Sequence, residues 1–300
     1  MGEWRKVIPE GRDRLQSKVL VWVVGIPLIA SLPVSILWLL HSSTVLKAAA
    51  ASLTFGVLVW ALRAATPMAS LLGAVICFLV TIWTGAPNLS PIHSGLAPLG
   101  TLFVLTFAAT RAGRRRKTQL GVTEGGRGRS AAQIVANLGM AGLMTLGGVV
   151  GIFDVVGGQG GLVEFSMHAM TVGLLAALCE ATADTVSSEI GQAFGGRPVM
   201  LTTLRRVDTG TDGAVTLLGT FAGVAGAAIV AAVGMWSMQI AGRAAMVGFA
   251  GGVAGLFLDS VLGATVERKG WFGNDQVNFF STVFAVAVSL MLAVVFSGQR

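Results

Sequence analysis

The chain has 300 residues, of which 54% are hydrophobic and only 12% are charged, and its mean hydropathy is +0.77. An ordinary globular chain carries about 25% charged residues, so this chain has too few polar groups to cover a water-facing surface. The composition predicts a polytopic membrane protein and excludes a soluble enzyme, a secreted disulfide scaffold and a disordered chain. Basic residues outnumber acidic ones by 21 to 14. In a membrane protein this bias first indicates orientation, and no nucleic acid partner is expected.

Apolar runs of about 17–25 residues are long enough to cross a bilayer as helices. They predict an all-α, polytopic transmembrane helical bundle of about nine spans, without a cleaved targeting segment. The predicted spans are 19–40, 45–63, 67–84, 95–110, 131–152, 168–190, 213–234, 240–264 and 279–297. Pro27 and Pro33 lie in the first span, where a membrane helix tolerates proline if neighbouring groups satisfy the freed carbonyls.

The basic residues predict the orientation of these spans. With nine spans, 18 of the 21 Lys and Arg fall on one side of the membrane. Because basic loops stay in the cytoplasm, we expect a cytoplasmic N-terminus, an external C-terminus and a place in the cytoplasmic (inner) membrane. Cys77 and Cys179 lie inside spans without a pairing signature and are expected to be buried small hydrophobes. His41, His93 and His168 show no metal-ligand spacing.

Three regions of the chain differ in composition. Residues 1–110 are apolar and are predicted to form an N-terminal helical scaffold of about four spans. Residues 111–130 form a basic, Gly-rich cytoplasmic loop, and its Arg-rich run at 111–117 has no assigned role. Residues 131–300 are predicted to form a Gly-rich helical catalytic core of about five spans. All three regions are expected to belong to one integral membrane domain.

Acidic residues at membrane depth are costly and need a reason. Glu180, Asp184 and Ser188 lie four residues apart and therefore share one stripe of a helix, with Glu189 one residue further on. Asp259 lies on a glycine-lined face, about one turn from the cytoplasmic end of its span. A single acid of this kind would be expected to pair with Lys or Arg and fix helix register. Asp184, Glu189 and Asp259 together, near one membrane face, are predicted to be catalytic and metal-binding residues.

Other polar residues are predicted on the same face, as candidates to bind the phosphates of a substrate or nucleotide. They are Lys117, Arg129, Asn137, Arg205, Arg206, Thr211, Asp212, Asn274 and Asn278. The sequence GTDG at 210–213 precedes a span, so it is expected to form either an anion-binding helix N-terminus or a capping turn. Carboxylates, basic side chains and helix N-termini together suit a Mg-nucleotide or a phosphate substrate. No Walker A, GxSxG or HExxH motif is present.

Several motifs resemble those of the integral membrane family first catalogued as domain of unknown function 92. They are GRSAAQIVAN, ADTVSSEIG (183–191), RPVMLTTLRRVDTGTDGAVTLLGTFAGVAGA (197–227), DSVLGAT (259–265) and VNFFST (277–282). The resemblance spans roughly residues 20–297, and its specific motifs lie between 129 and 282. Ser187 and Ala214 depart from the pattern, because many relatives have a small residue such as Ala at the first position and Gly at the second.

The family includes the eukaryotic transmembrane protein 19 group and the plastid phytyl-phosphate kinase of vitamin E synthesis. The resemblance therefore implies CTP-dependent phosphorylation of a prenyl monophosphate to the diphosphate, with broader kinship to dolichol and farnesol kinases. It matches Asp184 and Glu189 to the family's Ala-Asp-Thr-x-x-Ser-Glu element and Asp259 to its Asp-Ser element. The leading hypothesis is a phytyl- or geranylgeranyl-phosphate-like kinase at the cytoplasmic membrane face, with these three acids holding Mg²⁺ against the nucleotide phosphates.

Small residues recur four apart in the last spans, as in Gly219/Gly223 and Gly251/Gly255, which lets helices approach closely. The seam between the sixth and ninth spans is expected to admit the isoprenoid tail. One alternative is a transporter or lipid flippase that uses the intramembrane acids, although no internal repeat is evident. Another is a non-catalytic scaffold whose basic loops bind anionic lipid. The sequence leaves open the prenyl chain, the choice of CTP over ATP and the oligomeric state, including a homo-oligomer.

Overall fold

The computed structural model describes residues 8–39, 43–85, 90–122, 128–156 and 163–297. The chain order of its helices is α1 (Glu10–Leu39), α2 (Ser43–Ala61), α3 (Pro67–Thr84), α4 (Leu96–Arg111), α5 (Arg114–Gln119), α6 (Ala131–Met144), α7 (Leu146–Val156), α8 (Val163–Phe194), α9 (Leu217–Ser237), α10 (Gly242–Leu262) and α11 (Asn274–Ser297). Between α8 and α9, the strands β1 (Val199–Met200) and β2 (Ala214–Val215) pair antiparallel. A π-helical turn, Gly263–Glu267, follows α10 directly.

The predicted all-α polytopic bundle is confirmed. Within the described ranges, eight helices are long and apolar enough to cross a membrane, and α6 and α7 together form one of these spans, Ala131–Ile152. The fourth predicted span, 95–110, corresponds to α4, which is apolar but shorter, at 16 residues. The predicted count is therefore approximately right. His41 and residues 123–127 of the basic loop lie outside the described residues.

Several predicted spans begin at different residues in the structure. The first was expected from 19 and the sixth from 168, but α1 begins at Glu10 and α8 at Val163. The seventh span was expected from 213, but α9 begins at Leu217 because residues 214–215 pair with β1 as a strand. Thr216 then caps α9, since its hydroxyl oxygen accepts a hydrogen bond from the Gly219 N–H at 3.1 Å. The ninth span was expected from 279, but α11 begins at Asn274, so its polar first turn is helical as well.

Helix α8 lies at the centre of the bundle and packs against α4, α6, α7, α9, α10 and α11. Small residues allow this close packing. A Cβ atom on Gly223 of α9 would lie 2.9 Å from the Ser187 Cβ, and one on Gly255 of α10 would lie 2.6 Å from the Glu180 Cγ. Gly251 faces α11 in the same way, because a Cβ there would lie 2.5 Å from the Ala285 carbonyl oxygen. The predicted close approach at these glycines is confirmed, and Cys77 and Cys179 are buried as expected.

The loop before α6 is attached to the turn between α2 and α3. The Arg129 N–H donates to the Ala64 carbonyl at 2.8 Å, and the Thr66 N–H donates to the Arg129 carbonyl at 3.0 Å. Gly128 has a left-handed φ of +75°, and a Cβ there would lie 2.8 Å from the Arg63 carbonyl oxygen. Ser130 and Gln133 then form a capping box at the start of α6. These contacts fix the position of Arg129 at the end of the bundle where α4 ends and α6 begins, which we call the site end.

Candidate functional site

A cavity of about 220 Å³ lies at the site end, enclosed by α6, α8, the 209–216 loop, the end of α10, the π-helical turn and the start of α11. We call it the acidic cavity because five carboxylate side chains line it. They are Asp184, Glu189, Asp212, Asp259 and Glu267. Among the described residues, Arg129 is the only Lys or Arg on its wall. The three acids predicted from the sequence therefore line one cavity, together with two further acids.

Asp259 occupies an unusual position in this cavity. Its Oδ2 atom is buried and has no hydrogen-bond partner within the described part of the chain. A buried polar oxygen without a partner is rare and costly in native structures. A bound cation or a donor group on a ligand would satisfy this oxygen, so Asp259 is the residue of the cavity wall that most directly indicates a ligand.

Glu180 has a different role from the other acids of its helix stripe. Its two carboxylate oxygens accept hydrogen bonds from the Ser281 and Thr282 hydroxyls, each at 2.6 Å. Glu180 is 1% exposed and does not line the acidic cavity. It joins α8 to α11, which is the register-fixing role considered for an isolated acid, although its partners are hydroxyls and not Lys or Arg.

The 209–216 loop presents Asp212 and Thr211 to the acidic cavity. The Thr211 hydroxyl donates to the Asp208 carbonyl at 2.7 Å and closes a turn. Gly213 has a φ of +73°, and a Cβ there would overlap the Ala264 backbone nitrogen of the π-helical turn. The sequence GTDG at 210–213 was expected to form either an anion-binding helix N-terminus or a capping turn. It forms a turn, because α9 begins only at Leu217. Only glycine permits this conformation together with this contact.

Lys117 was predicted to bind phosphate, but its contacts indicate a positioning role. Its side chain is 2% exposed, and its ammonium donates to the Glu189 carboxylate at 2.5 Å. It also donates to the Thr110 carbonyl at 2.8 Å and the Ala109 carbonyl at 3.3 Å. Since an ammonium group has three N–H donors, protein acceptors use all of them. Lys117 therefore holds Glu189 against the end of α4.

Arg205 and Arg206 were also predicted to bind phosphate, but the structure does not bring them to the acidic cavity, and their role stays a prediction. Both side chains are exposed, and neither lines the acidic cavity. The Met200 N–H donates to the Arg205 carbonyl at 2.9 Å, and Leu204 has a left-handed φ of 54°, so the chain reverses tightly here. The two arginines therefore lie on an exposed turn.

The remaining predicted residues do meet at the cavity. Arg129 donates to the Thr185 hydroxyl at 3.3 Å, and Asn137 donates to the Gln133 carbonyl at 2.8 Å. Asn274 and Asn278 line the cavity from the start of α11. Amide and guanidinium groups thus surround the carboxylates on the α6 and α11 sides.

The sequence analysis missed Glu267, Thr185 and Gln133, all of which line the acidic cavity. Glu267 precedes Arg268 and Lys269, so its position was typical of a charged loop. The π-helical turn carries it to the cavity, and turns of this kind are frequent at functional sites. Gln133 lies in the GRSAAQIVAN motif and could have been selected from that resemblance.

The described residues contain no group of three or more His, Cys, Asp or Glu side chains arranged to hold a metal ion. The predicted three-carboxylate magnesium site is thus not visible as a formed cluster, and magnesium binding stays a prediction. Mg²⁺ commonly takes only one or two protein carboxylates and completes its shell with water and substrate phosphates. Asp184 and Asp259, which line the same cavity, fit that requirement.

The glycine seam predicted to admit an isoprenoid tail is closed. Gly219 and Gly223 contact the backbone of α8, and Gly252 would place a Cβ only 2.5 Å from the Cys179 Cβ. A larger cavity of about 810 Å³ has an apolar wall formed by α2, α3, α4 and α6, and its end at the site is also lined by residues of α1, α5, α8 and α11. We call it the apolar cavity; it shares ten lining residues with the acidic cavity, among them Arg129, Glu189 and Asp212. The two cavities are therefore contiguous.

Fold and site together define a helical integral membrane protein with an acidic cavity at one end of its bundle. The chain belongs to the integral membrane protein family DUF92, whose family model matches residues 50–286. No solved structure matches the chain.

Three similar proteins illustrate the range of this family. The uncharacterized membrane protein MJ0933 of Methanocaldococcus jannaschii is 36% identical over 44% of this chain and 55% of its own length. Protein VTE6, chloroplastic, of Arabidopsis thaliana is 32% identical over 66% of this chain and 58% of its own. Protein PGR of the same plant is 27% identical over 58% of this chain and 65% of its own. The chain thus spans a little more than half the length of these relatives.

Proposed function

We propose that the protein is a membrane kinase that transfers a phosphoryl group from a nucleoside triphosphate, with CTP favoured, to a prenyl monophosphate. The observation that carries the proposal is the contiguity of an acidic cavity, which contains Arg129, with a larger apolar cavity. A lipid phosphate acceptor needs both environments, because its phosphate is ionic and its chain is apolar. Similarity to the chloroplastic Arabidopsis protein supports a prenyl-phosphate kinase-type function in the family.

The proposal places the site at the cytoplasmic face of the inner membrane, where a soluble nucleotide arrives. The positive-inside distribution of Lys and Arg supports this orientation. Arg63, Arg111, Arg114 and Arg129, which were predicted to share one side, all line the apolar cavity and are therefore at one end of the bundle.

Asp184 and Asp259 are the residues that would hold Mg²⁺, and the unpartnered Asp259 Oδ2 supports this fit. When bound, the ion supplies positive charge that neutralises the nucleotide phosphates. Without such a cation, five carboxylates would repel a triphosphate. Glu189, held by Lys117, adds negative charge at the boundary of the two cavities.

The chain's own residues would act mainly by binding and orientation. Arg129 can donate paired N–H groups to a phosphate, and Asn137, Asn274 and Asn278 can orient phosphate oxygens through their amides. An oxygen of the acceptor phosphate forms a new bond to the γ-phosphorus. The bond from that phosphorus to the bridging oxygen breaks, and the nucleoside diphosphate leaves with the electron pair. Because the acceptor oxygen is already ionised, no general base is required.

The test is a panel of CTP and ATP with geranylgeranyl phosphate and phytyl phosphate, using purified protein in detergent. We expect equal amounts of prenyl diphosphate and nucleoside diphosphate, with CTP the better donor. Chelation by EDTA is expected to stop transfer, and Mg²⁺ is expected to restore it. Absence of prenyl diphosphate with either nucleotide would overturn the proposal. Movement of a lipid phosphate across vesicles without nucleotide would instead support the transporter or flippase alternative.

A further inference from the structure

We infer that the apolar cavity binds the hydrocarbon chain of the lipid phosphate, and that Gly73, partway along the cavity, leaves the room that a long chain needs to pass. This inference rests on the proposed function for the identity of the head group. Its own evidence is the shape, lining and position of the cavity. The glycine pattern in the sequence predicted a binding site for the hydrocarbon chain among the last four spans. The site inferred from the structure lies instead among α2, α3, α4 and α6.

One continuous face of α4 forms a wall of the cavity. The residues on it recur at helical spacing and are Leu99, Leu102, Phe103, Thr106, Phe107, Thr110 and Arg111. At 1.5 Å per residue, the stretch from Leu99 to Arg111 covers about 18 Å. The hydrocarbon core of one leaflet is roughly 15 Å thick. The cavity therefore runs from the site end to about the middle of the bilayer.

Phe55 of α2 completes the wall opposite α3. Its ring lies 5.4 Å from the Phe103 ring in an edge-to-face arrangement, and the Phe103 ring lies 5.4 Å from that of Phe107. Val59 of α2 and Leu62, in the turn that follows α2, extend the wall toward the site end. At about 810 Å³ the cavity falls within the range of roughly 300–1,000 Å³ typical of ligand sites.

The cavity is charged at the site end, in contrast to its depth. Basic and acidic side chains both line this end: Arg63, Arg111, Arg114, Lys117 and Arg129, and Asp13, Glu189, Asp212, Glu267 and Asp275. The Arg111 guanidinium carbon lies 3.3 Å from the centre of the Phe107 ring, and the same side chain donates to the Leu62 carbonyl at 3.4 Å. The arginines at this end can pair with the anionic head group of a lipid phosphate. The apolar wall of α4 and α2 then suits the attached hydrocarbon chain, for which a free phosphate has no counterpart.

Gly73 gives a direct way to test the depth. It lines the cavity, and a Cβ added there would meet no atom within 4 Å, so a larger side chain has room to enter the void. Gly73 lies about 9 Å along α3 from Pro67 at the site end. Gly100 on α4 is the matched control, because a Cβ there also meets no atom within 4 Å but the residue lines neither cavity.

We expect Gly73→Leu to lower kcat/KM for geranylgeranyl phosphate about tenfold or more, because its chain must pass that point. The shorter geranyl phosphate is expected to keep its rate within about twofold, and Gly100→Leu is expected to leave both acceptors unchanged. Equal losses for the long and short acceptors in Gly73→Leu would overturn the inference.

A binding measurement separates this inference from the kinase proposal. A geranylgeranyl phosphate with a photoreactive diazirine at its chain terminus is expected to label α3 and α4 of the wild-type protein, and less so in Gly73→Leu. Labelling of α9 and α10, or no specific labelling, would overturn the inference. Labelling of α3 and α4 without any phosphoryl transfer would support the binding site for the hydrocarbon chain and contradict the proposed kinase activity.

Discussion

Glycine has opposite roles in the two halves of the bundle. Gly219, Gly223, Gly251 and Gly255 in α9 and α10 lie against neighbouring helices so closely that a Cβ would collide. Gly73 in α3, by contrast, faces open space within the apolar cavity. The same residue type thus closes the contacts around α8 and leaves room beside α3. A glycine pattern alone therefore does not distinguish a sealed helix interface from the wall of a binding cavity.

The largest expected effect concerns the acidic cavity of the closely packed half. We expect Asp259→Asn to reduce phosphoryl transfer about a hundredfold or more, since the amide loses the charge that the nucleotide site requires. Asp208→Asn is the control, because Asp208 is exposed and does not line the cavity. Initial rates with saturating nucleotide measure both. Equal rates for Asp259→Asn and the wild type would remove Asp259 from the site.

A second prediction compares the two kinds of glycine directly. Gly223→Ala is expected to lower the free energy of unfolding by roughly 1–3 kcal/mol, because the added methyl overpacks the contact with α8. Gly100→Ala is expected to change it by less than about 1 kcal/mol, since its methyl has room. Unfolding in mixed detergent measures both. Similar losses at the two positions would contradict the contrast between the halves.

The Lys117–Glu189 pair connects the two halves, since it joins α5 to α8. A double-mutant cycle with Lys117→Met and Glu189→Gln is expected to give a coupling free energy of roughly 1–2 kcal/mol in unfolding. The value is moderate because the Glu189 side chain is 18% exposed, so water screens part of the attraction. Strict additivity of the two single variants would show that the pair contributes no stability.

The smallest expected effect separates the 205–206 turn from the acidic cavity. The double variant Arg205→Ala/Arg206→Ala is expected to keep kcat/KM within about twofold, because both side chains lie outside the cavity. Arg129→Ala, in contrast, is expected to raise the KM for the acceptor phosphate about tenfold. A loss in the double variant as large as that of Arg129→Ala would restore the phosphate-binding role predicted from the sequence.

Helix geometry explains what the sequence could predict. The length of a span fixes the depth of each residue along it, so Asp184 and Asp259 could be placed at one end of the bundle before the structure was known. Small residues at four-residue spacing likewise predicted close packing of α9 and α10. These features depend on position within a single helix, which the sequence contains directly.

Other features depend on how segments meet, and the sequence pattern does not contain them. Lys117 pairs with Glu189, which lies 72 positions further along the chain. Because the lysine side chain is long and flexible, its position in the sequence does not indicate which carboxylate it will contact. Arg205 and Arg206 are directed by a left-handed residue, Leu204, which no turn motif marked. The walls of the apolar cavity are as hydrophobic as a packed helix interface. The sequence pattern of α2, α3 and α4 therefore does not show that a cavity lies between them.

The π-helical turn Gly263–Glu267 also determines which chain lengths this segment tolerates. A π-helical turn is equivalent to one residue inserted into an α-helix. Deleting one residue there would restore α-helical geometry, because the wider turn absorbs the extra residue without redirecting the segment that follows. The widened backbone at Ala264, against which Gly213 packs, would then be lost. A connection that resembles an ordinary charged loop therefore has a fixed length, and insertions or deletions in it are expected to be as damaging as changes in the core.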